Sequence, residues 1–121
     1  MGVYQNFSER GMKCREITGE VWQVGGGGIT AAEDAAVYLL RFGDEAALID
    51  AGAGKGHAAL ISNIEECGVA ASQIGYLFLT HCHYDHTGGA ERLRVACGCR
   101  VVAHQLDAKY LESGDSCQVV R

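Results

Sequence analysis

A chain of 121 residues, 48% apolar and 21% charged, has the make-up of one soluble globular domain and not of a disordered or fibrous chain. The net charge of −5 and pI near 5.4, without any run of lysine or arginine, argue against nucleic acid and anionic membranes as partners. The apolar runs are too short to span a bilayer, and residues 1–20 carry Glu9, Arg10, Lys13, Arg15, Glu16 and Glu20 in place of the apolar stretch of an export signal, so a cytoplasmic location is expected.

Taken in chain order, residues 1–16 read as a polar leader and residues 17–121 as a single domain. Val21–Val24, "VWQV", reads as a strand, and the four glycines 25–28 read as a turn. A phosphate-binding loop would need a Lys-Ser/Thr or a G-x-G-x-x-G leading into a helix, and neither follows. Ala35–Phe42 and Ala46–Asp50 are apolar strands joined at Gly43-Asp44, which predicts an antiparallel hairpin. After the "AGAGKG" break, His57–Cys67 has apolar residues at 59, 60 and 64 and Gly68 behind it, the pattern of a capped helix. Ile74–Thr80 is a buried strand, Gly89–Cys97 a second helix, Arg100–Ala103 a further strand, and "QLDAKYLES" a last short helix. Trp22 and Phe78 read as core residues. The strands are mostly continuous apolar runs, so both faces of their sheet call for cover. The two helices supply one cover, and no segment is found for the other.

The six cysteines are Cys14, Cys67, Cys82, Cys97, Cys99 and Cys117. Without an export signal they read as reduced thiols. Cys67 and Cys97 sit before glycines at helix ends, as packing residues do. Cys97-Gly98-Cys99 lacks the second cysteine pair of a metal knuckle, and a redox-sensing role for it stays open as the weakest option.

The densest chemistry lies in Leu79–Gly89, "LTHCHYDHTGG", which holds three of the five histidines. In an extended segment, side chains two residues apart point the same way, so His81 and His83 converge, and Asp85 continues that spacing with His86 beside it. Imidazole nitrogen and carboxylate oxygen suit zinc and accept iron or manganese. A strand in front and a helix behind give such a site its rigid frame, and Gly88 and Gly89 are expected to provide a tight turn into the helix. Cys82 is expected to point away from the ligands, and Tyr84 to pack or to line a pocket wall.

"THCHYDHTGG" resembles the metal-binding signature of the metallo-β-lactamase superfamily. "VWQVGGGG", "AAVYLLRF" and "AALIDAGAG" precede it in that family's order, so the resemblance covers residues 17–107. It implies an α/β fold of the α+β kind. This is half of an αββα sandwich, with one mixed, mostly antiparallel sheet and helices on one face. It also implies one or two zinc ions, with iron or manganese possible alternatives. His81 and His83 would bind the first, Asp85 and His86 the second, and Asp50 would stand behind as an orienting group unless it is only a strand-end turn residue. The implied reaction is hydrolysis. Metal-bound water ionises near neutral pH and attacks an ester, thioester, lactone or phosphodiester of a small molecule, with Asp85 as the catalytic group that holds the water or passes on its proton.

The family's fold takes about twice this length, and its later half supplies further ligands. His104 closes "RVVAH" outside a matching context and reads as a strand-end residue, and His57 reads as exposed at a helix start. The chain thus resembles the N-terminal half of such an enzyme, closest in character to hydroxyacylglutathione hydrolases. Three explanations are open: a fragment of a longer gene product, completion by a second copy in a homodimer, which is favoured, or completion by a complementary second half on a separate polypeptide. The alternatives are a truncated, non-catalytic metal-binding module that self-associates, and an enzyme similar to the iron persulfide dioxygenases.

Overall fold

The computed structural model describes residues 14–108. Among them are six strands, β1 (Arg15–Thr18), β2 (Val21–Gly25), β3 (Val37–Phe42), β4 (Glu45–Ile49), β5 (Ile74–Phe78) and β6 (Arg100–Val102). They make one sheet in chain order, antiparallel from β1 to β4 and parallel from β4 to β6. The change of direction follows from the connections. Gly43, at φ +66°, closes the β3–β4 hairpin, in a conformation that favours glycine. Parallel neighbours need a crossover, and helices α1 (His57–Glu66) and α3 (Ala90–Cys97) supply the two. A four-residue helix, α2 (Tyr84–Thr87), lies between β5 and α3, and a 3-10 turn (Ala71–Gln73) leads into β5.

The core sits between the sheet and these helices. Val24, Val37, Leu39, Leu48 and Leu77 face it from the strands, with Leu60 and Ile64 from α1 and Leu93 and Cys97 from α3. The helical residues are four apart, so each pair occupies one face. Asn63, buried in the same face of α1, donates its Nδ2–H to the Val24 carbonyl at 2.9 Å, which satisfies two polar groups that would otherwise be stranded. Gly98, at φ +67°, ends α3 with a left-handed cap.

The pairing Tyr38↔Ile49, Ile49↔Phe78 and Phe78↔Val102 places the alternate residues on the opposite face. There Phe42, Tyr76, Phe78 and Val102 are 48%, 40%, 38% and 40% exposed. One layer of helices on one face of a mixed sheet is the expected architecture. No helix among the described residues is long and apolar enough to cross a membrane.

Several boundaries differ from the sequence reading. β1 begins at Arg15, inside the stretch read as a leader, and it pairs with β2. Its four residues are all exposed, so it has no apolar alternation to reveal it. Of "QLDAKYLES", residues 105–108 are helical, and the remainder and the tail lie outside the described residues. Cys14, Cys67, Cys97 and Cys99 are free thiols, whereas Cys82 is disulfide-bonded, against the expectation of reduced cysteines throughout. The Cys14 and Cys67 sulfurs lie 3.6 Å apart. Burial and this neighbour push the Cys67 thiol up to about 12, and burial beside Cys99 pushes Cys97 up to about 11. Thiols held in that form are poor nucleophiles, which counts against a redox-sensing role for Cys97.

Candidate metal centre

β4 and β5 are parallel neighbours, so their C-terminal ends open on the same side of the sheet. Asp50 follows β4 directly, and Leu79–His83 follow β5. Backbone hydrogen bonds then lock the two loops together. Asp50 N–H donates to the Phe78 carbonyl at 2.7 Å, Ala51 N–H to that of His86 at 2.8 Å, and Gly89 N–H to that of Gly52 at 3.0 Å. The outer end of parallel strands is where open sheets of this kind bind ligands.

The motif has two conformations within it. The chain is extended as far as His83, at φ −71° and ψ 151°, and turns helical at Tyr84. His81 and His83 do share the spacing expected of an extended segment, with ring centroids 6.2 Å apart. Asp85 does not continue that spacing, because it lies in the first turn of α2, and the helical turn instead brings His86 back over His81, centroid to centroid 4.5 Å. His86 Nε2 faces the Asp85 carboxylate at 3.8 Å.

Asp50 organises this arrangement from beneath. It is 4% exposed and sits at φ +68°, the only positive φ among the described non-glycine residues. That conformation costs an L-residue free energy, although aspartate tolerates it better than most. The conformation delivers the carboxylate under the motif. Oδ1 accepts the Thr80 N–H at 2.9 Å, while Oδ2 accepts the Thr80 hydroxyl at 2.6 Å and meets His86 Nδ1 at 2.9 Å. These contacts reach a residue thirty positions along the chain, beyond any local turn. Thr80, read from the sequence only as the end of a strand, also meets His81 Nδ1 at 2.9 Å. Its only signal in the sequence was its place directly before the first histidine of the cluster.

Gly88 and Gly89 are in the motif for a different reason from the one expected. Gly88 has φ −59°, as in an ordinary helix, and Gly89 has φ −91°. What requires glycine is close approach: a Cβ on Gly88 would collide with the Ala53 carbonyl, and one on Gly89 with the Ala51 carbonyl. The strained positions are across the gap, at Gly52 (φ +72°) and Gly54 (φ +113°). Asp34 secures this opposing loop, accepting the Ala53 N–H at 2.8 Å and the Ala31 N–H at 3.0 Å.

The remaining candidates stand apart. His104 Nδ1 accepts the Leu106 N–H at 3.0 Å, which caps the helical residues 105–108. His57 opens α1 half-buried, not exposed as expected, and its Nδ1 is buried without a partner. Burial first, and Arg92 second, hold its pKa below the usual histidine value. Tyr84 is largely exposed beside the cluster.

The donor chemistry, imidazole and carboxylate with Nδ1 atoms anchored behind, suits a divalent cation. The set is incomplete, since among the described residues no three His, Cys, Asp or Glu side chains are close enough together to hold one ion. His81 and His83 form one pair and Asp85 and His86 another, each short of the three protein ligands of an ordinary zinc site.

Comparison with known proteins bears on both the fold and the motif. Residues 31–119 match the family model of the metallo-beta-lactamase superfamily. A ribonuclease Z from Nocardia farcinica is 39% identical over 77 residues, 64% of this chain and 24% of that protein. A hydroxyacylglutathione hydrolase from Rhodospirillum rubrum is 43% identical over 42 residues, 35% of this chain and 16% of that protein. Among solved structures, a metallo-beta-lactamase from Cronobacter sakazakii with substitutions in its HARLDQ motif superposes with a TM-score of 0.75 at 32% identity, over 85% of this chain and 38% of that one. The chain therefore spans about a quarter or less of these sequence relatives and under two-fifths of that structure.

Proposed function

The chain belongs to the metallo-beta-lactamase superfamily, and from that premise we propose that it carries the cation-binding half of a metal-dependent hydrolase site. In this reading His81 and His83 hold one divalent ion, Asp85 and His86 a second, and Asp50 orients the imidazoles from behind. Zinc suits the donor set best. When bound, such an ion acts as a Lewis acid and brings the pKa of water to about 7. The chain's own groups do the rest. Asp50 engages Nδ1 of His86 and so turns Nε2 outward. Asp85 keeps a carboxylate beside that nitrogen, placed to orient a water or accept its proton. The observation that carries the reading is the 2.9 Å contact between His86 Nδ1 and the buried Asp50, the partnership that metal-ligating histidines make.

A small ester or thioester is the favoured substrate class. The similarity to a hydroxyacylglutathione hydrolase supports it, and the net charge of −5 repels a polyanion such as RNA. Equilibrium dialysis against zinc, followed by a thioester turnover assay, tests this. The expected result is bound zinc, lost when His81, His83, Asp85 and His86 are all alanine. Unchanged binding in that variant would refute the site, and stoichiometric iron in the purified protein would redirect the chemistry to dioxygenation. The incomplete ligand set favours one further reading, a metal-binding module without catalysis. Zinc bound without turnover of any ester, thioester, lactone or phosphodiester would select it.

A second copy of the chain is the proposed cover for the open face of the sheet. Support comes from the aromatic surface there, where Tyr76 and Phe78 stack at 5.8 Å, and from the shortage of ligands that a second copy could relieve. Sedimentation equilibrium tests it: a dimer supports this reading, and a monomer at high concentration removes it.

A further inference from the structure

We propose that the Thr80 hydroxyl is a positioning group that couples His81 to His86 through the single carboxylate of Asp50. The inference rests on the reading above only for its link to metal binding, since the hydrogen-bond chain is a property of the chain itself.

The argument is a count of hydrogens. A carboxylate offers acceptors only, and a threonine hydroxyl has one hydrogen to give. Thr80 Oγ1 lies 2.6 Å from Asp50 Oδ2, so that hydrogen points at the carboxylate. The same oxygen lies 2.9 Å from His81 Nδ1 and has only lone pairs left to offer, so Nδ1 must carry the ring's hydrogen. His86 Nδ1, 2.9 Å from the same Oδ2, must carry its hydrogen too. One carboxylate therefore fixes both imidazoles in the Nδ1–H tautomer, His86 directly and His81 through the hydroxyl. Both Nε2 lone pairs are left bare, the form in which an imidazole accepts a cation. The two proposed half-sites thus share one support, and the chain runs His81 Nδ1–H to Thr80 O–H to Asp50 Oδ2, with His86 Nδ1–H closing it from the other side. Free histidine prefers the Nε2–H tautomer, so without the hydroxyl His81 would present a hydrogen where a lone pair is needed.

Nitrogen–proton long-range correlation spectra of the full chain, stripped of metal by a chelator and recorded at rising alkaline pH until the ring-nitrogen shifts stop changing, test this directly. Wild type is expected to show His81 and His86 both as Nδ1–H. Thr80→Val, of the same shape but without the hydroxyl, should move His81 to Nε2–H and leave His86 unchanged. Thr80→Ser should restore the wild-type pattern, which a purely structural role for the threonine methyl would not do. His81 found as Nε2–H in wild type, or unmoved in Thr80→Val, overturns the inference, and the wild-type spectrum decides even if the valine variant fails to fold. Zinc affinity, measured separately, is expected to fall about 10- to 100-fold in Thr80→Val and to survive in Thr80→Ser. If wild type binds no zinc at all, the metal reading fails while the tautomer result still stands or falls alone.

Discussion

The two faces of the sheet come from the same strands and end in different states. On the helix side, Leu39, Leu48 and Leu77 are fully buried. On the opposite face Leu40 is only half-buried and Tyr76 and Phe78 are substantially exposed, although the small Ala47 between Leu40 and Tyr76 is buried. The strands alternate between two apolar faces, and among the described residues only one of them has a layer against it. Strand composition therefore reports how many layers a sheet is built to receive, not how many it has.

This contrast can be broken experimentally, first on the covered side. Leu77→Ala should cost about 2–5 kcal/mol in urea unfolding, because it leaves a cavity between sheet and helices that neighbours cannot refill. At the rim where the faces meet the site, Asp50→Asn replaces an acceptor with a mixed donor–acceptor. It should weaken zinc binding by about 10- to 100-fold, measured by competition with a chelating dye. On the open side, Tyr76→Lys should change monomer stability by only about 0.5 kcal/mol or less. If a second copy covers that face, the same change should shift the sedimenting species from dimer to monomer. If Tyr76→Lys destabilised the fold as much as Leu77→Ala, the two faces would be equivalent and the contrast would collapse.

The smallest effect concerns the edge of the core. The Cys67 thiol, raised to about 12 by burial and by Cys14, stays protonated in the fold, whereas an unfolded thiol ionises near its ordinary value of about 8.5. Stability from this group is complete below that ordinary value and drains away as pH rises toward the folded one, since the unfolded chain releases its proton first. Cys67→Ala should flatten the alkaline limb of a stability–pH curve, and an unaltered limb would place the sensitivity elsewhere.

Where a residue's role depended on its immediate neighbours, the sequence showed it. The apolar residues at 59, 60 and 64 marked the first crossover helix, the glycines after 67 and 97 marked the ends of both, and Gly43 marked the hairpin. The cluster of His81, His83, Asp85 and His86 stood out by composition alone, and it lies within residues 31–119, which match the family model. β1 stayed hidden because four exposed residues carry no period, and α2 because a four-residue helix is too short to have one.

The sequence by itself determined which chemistry gathers at the end of β5, because ligand type and local order are written in consecutive residues. It could not determine why Gly88 and Gly89 must be glycine, nor that Asp50 and Thr80 meet beneath the motif. Those depend on carbonyls at Ala51 and Ala53 and on a carboxylate thirty positions away in the chain. Only the parallel register of β4 and β5 brings them within hydrogen-bonding distance, and that register is a property of the folded sheet, not of any one strand.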